Sequence, residues 1–520
     1  MLSFAILLLA SSVKSTPTCQ DIQGAYQAQN CCDGLQESFT VPDMWCSSTT
    51  STAAPYDCVL AKAKVDLISM ANATVALATP FDGTDAYLFE QSFEVLKSLT
   101  GVSLDITKTN ANINKPTDVL QWYRSDVVVD GAVSLPKLGI TLAQLQAAYG
   151  SKLIDVVTKD GEPYAVPVVT QPKGVLFYNT DIVTSAPSSW DGLMQLLQTL
   201  QAQGHSKPLC MAGDDGWPLT DVLENIVAED ANSVYTPWAK GEVAFNDTAI
   251  KSAVTKVAAL QPYVNLTYTW SGVLSNVNQK VLDGDCALTI MPHFGPGFSD
   301  ADLVSDSKVK SAFIFNDYTV LGALFAVAKS STDAVRQAMV WQSSPLLANS
   351  FVGLSDSNGR PGVLISPNIN VDVNTYNSFT KPFAERVTNA IRSNTAVFDA
   401  SDRMPSTLDN KLKQELLKLV NGRTTVDDAL EVLECTRTDS CPKSDILWRW
   451  VDGTEPYKPF ASQQFKDILL PLMRTQLDDT TYTPAVGALM TASEAAAADY
   501  AFKQAASSIE ALDGVVVVKM

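Results

Sequence analysis

The stretch Asp160–Asp181, DGEPYAVPVVTQPKGVLFYNTD, constrains this chain more than any other. Two short apolar runs, AVPVV and GVLFYN, flank the polar break TQPKG. Pro167 removes a backbone donor from the first run, so that strand has to lie at an edge or terminal position. Val, Leu, Phe and Tyr in the second run suit a buried strand. Pro172 and Gly174 make the break a place where the chain changes direction. Read by itself, the pattern is that of a hairpin or strand pair within one domain.

The region before it alternates strand and helix. ATVALA, from Ala73 to Ala78, predicts a strand, and Pro80-Phe81-Asp82-Gly83 predicts a turn. A helical pattern then runs to Leu99, closed by Gly101, and VSLDIT is the next strand. Strand–turn–helix–strand order implies a parallel unit with a right-handed crossover. Ligands of open α/β sheets gather at the carboxyl ends of strands, which places Asp82 and Gly83 at a cleft rim. Asp82 serves equally well as a helix cap. With 520 residues the chain can hold two or more domains.

Later segments continue the alternation. VLQWYRSDVVVDGA carries Trp122 and Tyr123 ahead of a Ser-Asp turn and a DVVV strand. SSWDGLMQLLQTLQAQG is an amphipathic helix ending at Gly204. KPLCMAG reads as a strand, and DDGWPLTDVLENIVAED as a turn and a helix. VLDGDCALTIMPHFGPGFSD follows a helical segment, FNDTAIKSAVTKVAALQPYVN. SAFIFNDYTVLGALFAVAK holds two strands around Asn316-Asp317. Helical segments follow, with Thr424 or Thr425 as an N-cap before VDDALEVL.

Charge narrows the function classes. A net charge of −19 repels phosphate backbones, so nucleic-acid binding is not expected. Residues 1–15 have the apolar run and small residues of a secretory signal. No stretch reaches the ~18 apolar residues a membrane span needs. Five of nine cysteines, Cys19, Cys31, Cys32, Cys46 and Cys58, crowd a Ser/Thr/Pro-rich segment at 16–58, which reads as a disulfide-stapled appendage. Cys435 and Cys441 are a second close pair, while Cys210 and Cys286 stand alone. Zinc spacing is lacking, so no metal or cofactor is expected. Asn72, Asn246 and Asn265 head glycosylation sequons.

The serial order of these segments carries a resemblance. G-x-x-Y-x-V-P, then L-F-Y-N-T-D, then S-S-W-D-G-L, then GDCALTIMPHFG and finally NGRTTVDDALEVL resembles the family 1 extracellular solute-binding proteins, the maltose-binding-like components of ABC importers. That likeness covers roughly Asp66 to Glu434 and implies an α/β, two-lobed periplasmic-binding-protein-like (type II) fold. The chain would leave the first lobe near Val166–Gly174 and return near Asn316–Val320. Lobe 1 is then 59–168 and 317–352, lobe 2 is 169–316 and 353–434, and 435–520 is a C-terminal extension of unassigned role. Phe294 stands where the family often has Trp, and His293 where it often has Gly or Ser.

The resemblance implies a ligand set of Asp82, Gly83, Trp122, Gln171, Asp214, Asp215, Trp217 and Phe294. An aromatic face suits the C–H side of a sugar ring and fixed polar groups suit its hydroxyls. For Trp122 the alternative is a packed core aromatic, and for Asp214 and Asp215 a solvated turn and cap. The expected function is a secreted, monomeric, non-enzymatic receptor that closes two lobes around a small ligand, a carbohydrate first, with a membrane transporter as partner and no direct membrane insertion. Two alternatives stay open. Tyr123, Arg124, Tyr178 and Lys173 would serve an anion or ferric-ion binder. Asp82, Asp126, Asp214 and Asp215 are the acids available to a glycan hydrolase. No nucleophile motif accompanies His293, which makes it a poor catalytic base.

Overall fold

The computed structural model describes residues 73–81, 83–108, 117–213, 216–265, 274–295, 308–351 and 362–440. The signal segment, the Cys-rich segment, the extension beyond residue 440, Asp82, Asp214 and Asp215 lie outside the described residues.

The amino half builds as its pattern requires. β1 (Ala73–Thr79) leads into α1 (Gly83–Thr100), and Gly101 takes φ +77° to turn the chain into β2 (Val102–Lys108). β1 and β2 pair in parallel, Ala73 opposite Val102 through Thr79 opposite Lys108. β3 is Val119–Trp122, parallel to β1 on its other side. The SDVVV segment departs from expectation: Ser125–Val129 is a short helix, α2. Its valines are β-formers, but β-propensity reflects available strand neighbours, and β3 already fills that place. α3 (Leu142–Tyr149) starts at a capping box, with the Thr141 hydroxyl accepting from the Gln144 N–H and the Gln144 side chain accepting from the Thr141 N–H. α4 (Ser151–Asp155) and a small hairpin, β4 (Thr158–Lys159) with β5 (Glu162–Pro163), follow.

β6 (Val166–Pro172) and β7 (Val175–Asn179) do not pair with each other. The expected five-residue break is only Lys173–Gly174, and the chain changes sheet across it. β6 belongs to a six-stranded sheet, in which it pairs β11, while its Thr170 also bridges Ile365. β7 belongs to a four-stranded sheet in the order β10-β7-β9-β8. After β7 come α5 (Trp190–Ala202), capped by the Ser189 hydroxyl, β8 (Leu209–Cys210) and α6 (Trp217–Ala239). Only two residues of KPLCMAG are strand. α7 (Thr248–Ala258), α8 (Leu274–Asp283), β9 (Leu288–Met291) and β10 (Val309–Phe313) complete this half.

The chain returns to the first sheet as β11 (Thr319–Ala328), all ten residues of which are buried. Such a run, VLGALFAVA, is what a strand covered on both faces looks like. Each buried Leu, Val or Phe here contributes ~1.5–3 kcal/mol over its exposed state. α9 (Asp333–Ser343), α10 (Pro345–Phe351) and α11 (Lys381–Arg392) precede β12 (Ala396–Phe398). β12, expected with the second lobe, instead lies parallel to β11 in the six-stranded sheet. α12 (Ser406–Val420) and α13 (Val426–Arg437) end the described chain, with Thr425 as the cap of α13.

By contact density the chain divides into two units. Among the described residues, one holds those up to Glu242 and Pro262–Arg403, and so both large sheets. The other holds those of Val243–Gln261 and of 404–440, and so α7, α12 and α13. Among the described residues no helix is long and apolar enough to cross a membrane.

One correction concerns sulfur. Cys210 and Cys286, expected to stand alone, form a disulfide. Cys210 lies on β8, and Cys286 sits two residues before β9, its parallel neighbour. Sheet pairing thus brings together two residues 76 apart in sequence.

Candidate functional site

The link Lys173–Gly174 is the natural starting point. Lys173 projects into the protein, with its side chain 9% exposed. Its ammonium lies 3.2 Å from Asp221 Oδ1 and 3.2 Å from Asp399 Oδ2. Asp221 comes from α6, and Asp399 directly follows β12. The same ammonium sits 4.9 Å from the centroid of the Trp217 ring, within cation–π range. Gly322 on β11 lies beneath: a Cβ there would approach Lys173 Cε to 2.6 Å, so a side chain would dislodge the lysine stem.

Burial would lower the Lys173 pKa, but the carboxylates of Asp221, Asp399, Asp402 and Glu224 outweigh it and hold the ammonium well above its ordinary value. Burial would raise Asp399. Lys173, the Asp402 N–H and the Ser401 hydroxyl reverse this and keep Asp399 ionised below its ordinary value. Glu224 goes the other way, raised by burial and then by Asp399 and Asp221. It accepts from the Ala400 N–H at 2.7 Å, the Ser401 N–H at 3.0 Å and the Tyr235 hydroxyl at 3.2 Å.

Aromatic groups gather beside this charge cluster. Trp217 opens α6, and its ring stacks on Phe294, with centroids 6.2 Å apart and planes at 26°. His293 meets Phe294 edge-on at 5.9 Å. Gln171, on β6 opposite Gly322, hydrogen-bonds the Tyr123 phenol. Tyr123 packs on Trp122 at 6.4 Å, and Trp122 pairs Phe325 across β3 and β11. Asp85, in the first turn of α1, is half-buried by surface area. It is still enclosed enough that desolvation lifts its carboxyl from 3.8 to about 7, while the nearby Tyr123 phenol is raised by its own burial first and by the Asp85 charge second.

Four expected ligand residues are therefore linked through short steps. Trp122 touches Tyr123, Tyr123 bonds Gln171, Gln171 adjoins Lys173 through Pro172, and Lys173 touches Trp217, which stacks on Phe294. Gly83 opens α1. Sequence reading missed Asp85, three residues beyond Asp82 in the sequence, and the partners of Lys173, which no local spacing announces.

The anion alternative loses its main cation, because Lys173 faces two carboxylates. Among the described residues no group of three or more His, Cys, Asp or Glu side chains is placed to hold a metal ion. A surface cavity of about 370 Å³ lies within the second unit, lined by Asn246, Lys251, Leu430, Glu434 and their neighbours. None of the site residues above lines it.

Residues 102–343 match the family model of bacterial extracellular solute-binding proteins. No curated protein matches the chain. Solved structures of solute-binding proteins do. The bacterial solute receptor AcbH, whose structure is described by its preference for β-D-galactopyranose, superposes with a TM-score of 0.60 at 13% identity, covering 71% of this chain and 100% of that one. A chitin oligosaccharide binding protein gives 0.55 at 16%, covering 71% and 99%. Maltose-bound MalE3 of T. maritima gives 0.52 at 13%, covering 71% and 100%. The fold is thus the two-lobed, periplasmic-binding-protein-like one, and its crossovers are two changes of sheet, at 173–174 and 314–318.

Proposed function

We propose that this protein is a receptor for a neutral carbohydrate, held beside the first crossover and delivered to a membrane transporter. The reading is carried by the Trp217–Phe294 stack, set against the Lys173 crossover. A flat aromatic surface takes the C–H face of a sugar, while Gln171, Asp85 and Tyr123 offer hydroxyl partners. The set Asp82, Gly83, Trp122, Gln171, Asp214, Asp215, Trp217 and Phe294 remains the proposed ligand shell, with Asp85 added. Lobe 1 rests on the six-stranded sheet and lobe 2 on the four-stranded one. The ligand stabilises the closed arrangement through its higher affinity for it. Structural neighbours described as binding galactose, chitin oligosaccharides and maltose support the substrate class. The buried Cys210–Cys286 disulfide supports an oxidising, secretory destination.

The test is calorimetric titration of the purified chain with galactose, maltose, chitobiose and xylobiose. At least one should bind, and Trp217→Ala should weaken it about tenfold or more, ~1.4 kcal/mol. Phe294→Ala should act in the same direction. A sugar that binds wild type and Trp217→Ala equally places the site elsewhere, and binding of none of the four removes the carbohydrate reading.

A further inference from the structure

One face of α6 joins features so far described separately. Trp217, Asp221, Asn225 and Glu229 follow one another at intervals of four residues. At ~1.5 Å per residue they form a ridge about 18 Å long. Trp217 carries the proposed ligand platform. Asp221 holds the Lys173 ammonium at the first crossover. Asn225 donates to the Asp221 carbonyl at 2.8 Å and abuts Gly174, where φ is +67° and a Cβ would run into the Asn225 amide.

Glu229 completes the row at the second crossover. Its carboxylate accepts from three consecutive backbone N–H groups, Asn316 and Asp317 at 3.0 Å each and Tyr318 at 3.4 Å. The carbonyls of the same segment are held from α11. Arg386 Nη2 donates to the carbonyls of Phe315 at 2.9 Å, Asn316 at 3.0 Å and Tyr318 at 2.9 Å, and its Nε donates to the Thr319 hydroxyl at 2.8 Å. The return segment is therefore gripped through its donors by α6 and through its acceptors by α11. Charge-assisted bonds of this kind are shorter and stronger than neutral ones.

We propose that this α6 ridge is a relay that couples occupancy of the Trp217 platform to the geometry of both crossovers. A ligand that shifts Trp217 disturbs the Lys173–Asp221 pair, and the rigid helix carries that displacement through Asn225 to Glu229. The inference rests on the receptor reading for the identity of the ligand, but the mechanical link itself exists without ligand.

Hydrogen exchange, followed by mass spectrometry on the full chain, separates the two ideas. Without ligand, Glu229→Gln speeds exchange at residues 316–318 at least tenfold, because their acceptor is weakened. The coupling arm is Trp217→Ala and Asp221→Asn, which should speed the same amides at least threefold. Leu223→Ala, buried on α6 but off the ridge, controls for general destabilisation and should not single out 316–318. Should Asp221→Asn fail to fold, Trp217→Ala, at a half-buried position, still decides. In wild type a saturating sugar found by the titration above should slow exchange at 316–318, and in Glu229→Gln, which still binds it, should not. Wild-type exchange at 316–318 in Trp217→Ala overturns the relay, whether or not any sugar binds. Failure of every sugar to bind, with the ligand-free coupling intact, overturns the receptor reading alone.

Discussion

His293 is a residue whose charge state the fold dictates. It is 1% exposed, its Nε2–H donates to the Val363 carbonyl at 2.7 Å, and its ring lies between Phe294 and Phe383. Burial lowers its pKa from 6.5 to about 4, against a smaller upward pull from the Val363 bond. The unfolded chain takes up a proton below pH 6.5, and the folded one only near 4. Stability from this group is complete above pH 6.5 and is lost as pH falls toward 4, on the order of 3 kcal/mol in all. His293→Gln should flatten that loss, read from urea midpoints at pH 7.5 and 4.5; an unchanged loss assigns it to other groups. Asp85 has the opposite sign. Its folded value near 7 lies above 3.8, so it favours the protonated folded state and costs stability as pH rises from 3.8 through 7. Allowing for its partial exposure, Asp85→Asn should stabilise the protein at pH 8 by on the order of 1–2 kcal/mol and make no difference at pH 4. Equal midpoints at pH 8 would refute this. Asp85→Asn also tests a ligand role, because a hydroxyl partner lost at this position weakens sugar binding without unfolding the chain.

Among the elements, β8 is the one that cannot hold itself. Two residues of parallel ladder, Leu209 with Leu288 and Cys210 with Thr289, give few bonds to fix its place. The Cys210–Cys286 bridge supplies the rest, and its closed loop contains α6 and with it Trp217. Loop-closure entropy for this separation is about 4.5 kcal/mol, and measured losses run lower. The double variant Cys210→Ala/Cys286→Ala should lose ~2–4 kcal/mol in chemical denaturation. Both sulfurs are buried, at 0% and 1% exposure, so reductant should leave the native bridge intact and cleave it only in denaturant. Cleavage under native conditions would contradict that burial. The contrast between elements also shows what the sequence makes visible. β1, α1 and β2 were legible because short apolar runs, the Pro80-Phe81-Asp82-Gly83 turn signal and Gly101 are local signals. Ser125–Val129 was misread because three valines favour a strand only where a neighbour exists. The bridge and the Lys173–Asp221–Asp399 cluster were illegible because non-local strand pairing creates them. Trp217 and Phe294 were legible as candidates through the order of motifs, whereas their contact with each other needed the fold.

At the scale of the whole molecule, the two crossovers join two sheets whose segments were readable in order, although β12 returns to the six-stranded sheet against expectation. Charge then decides which ligands such a body attracts. A net −19 repels anions and strains the compact state, so salt should stabilise it generally by screening. Lys173, the cation nearest the aromatic platform, is offset by Asp221 and Asp399, with Asp402 and Glu224 close by. An anionic ligand would have to compete with buried carboxylates for that ammonium, and separating such a pair leaves uncompensated charge costing several kcal/mol. A neutral polyol meets no such penalty. Thermal shift at matched ionic strength distinguishes the cases. Any excess of phosphate or sulfate over chloride in raising the melting temperature should be the same in wild type and Lys173→Met, because it comes from exclusion of these ions from the protein surface and not from a site. A bound neutral sugar at a hundred times its Kd should add about 2.7 kcal/mol on top of screening, and that increment should vanish in Trp217→Ala. Phosphate outperforming chloride at equal ionic strength, with the gain abolished by Lys173→Met, would return the site to the anion class and overturn the neutral-sugar assignment.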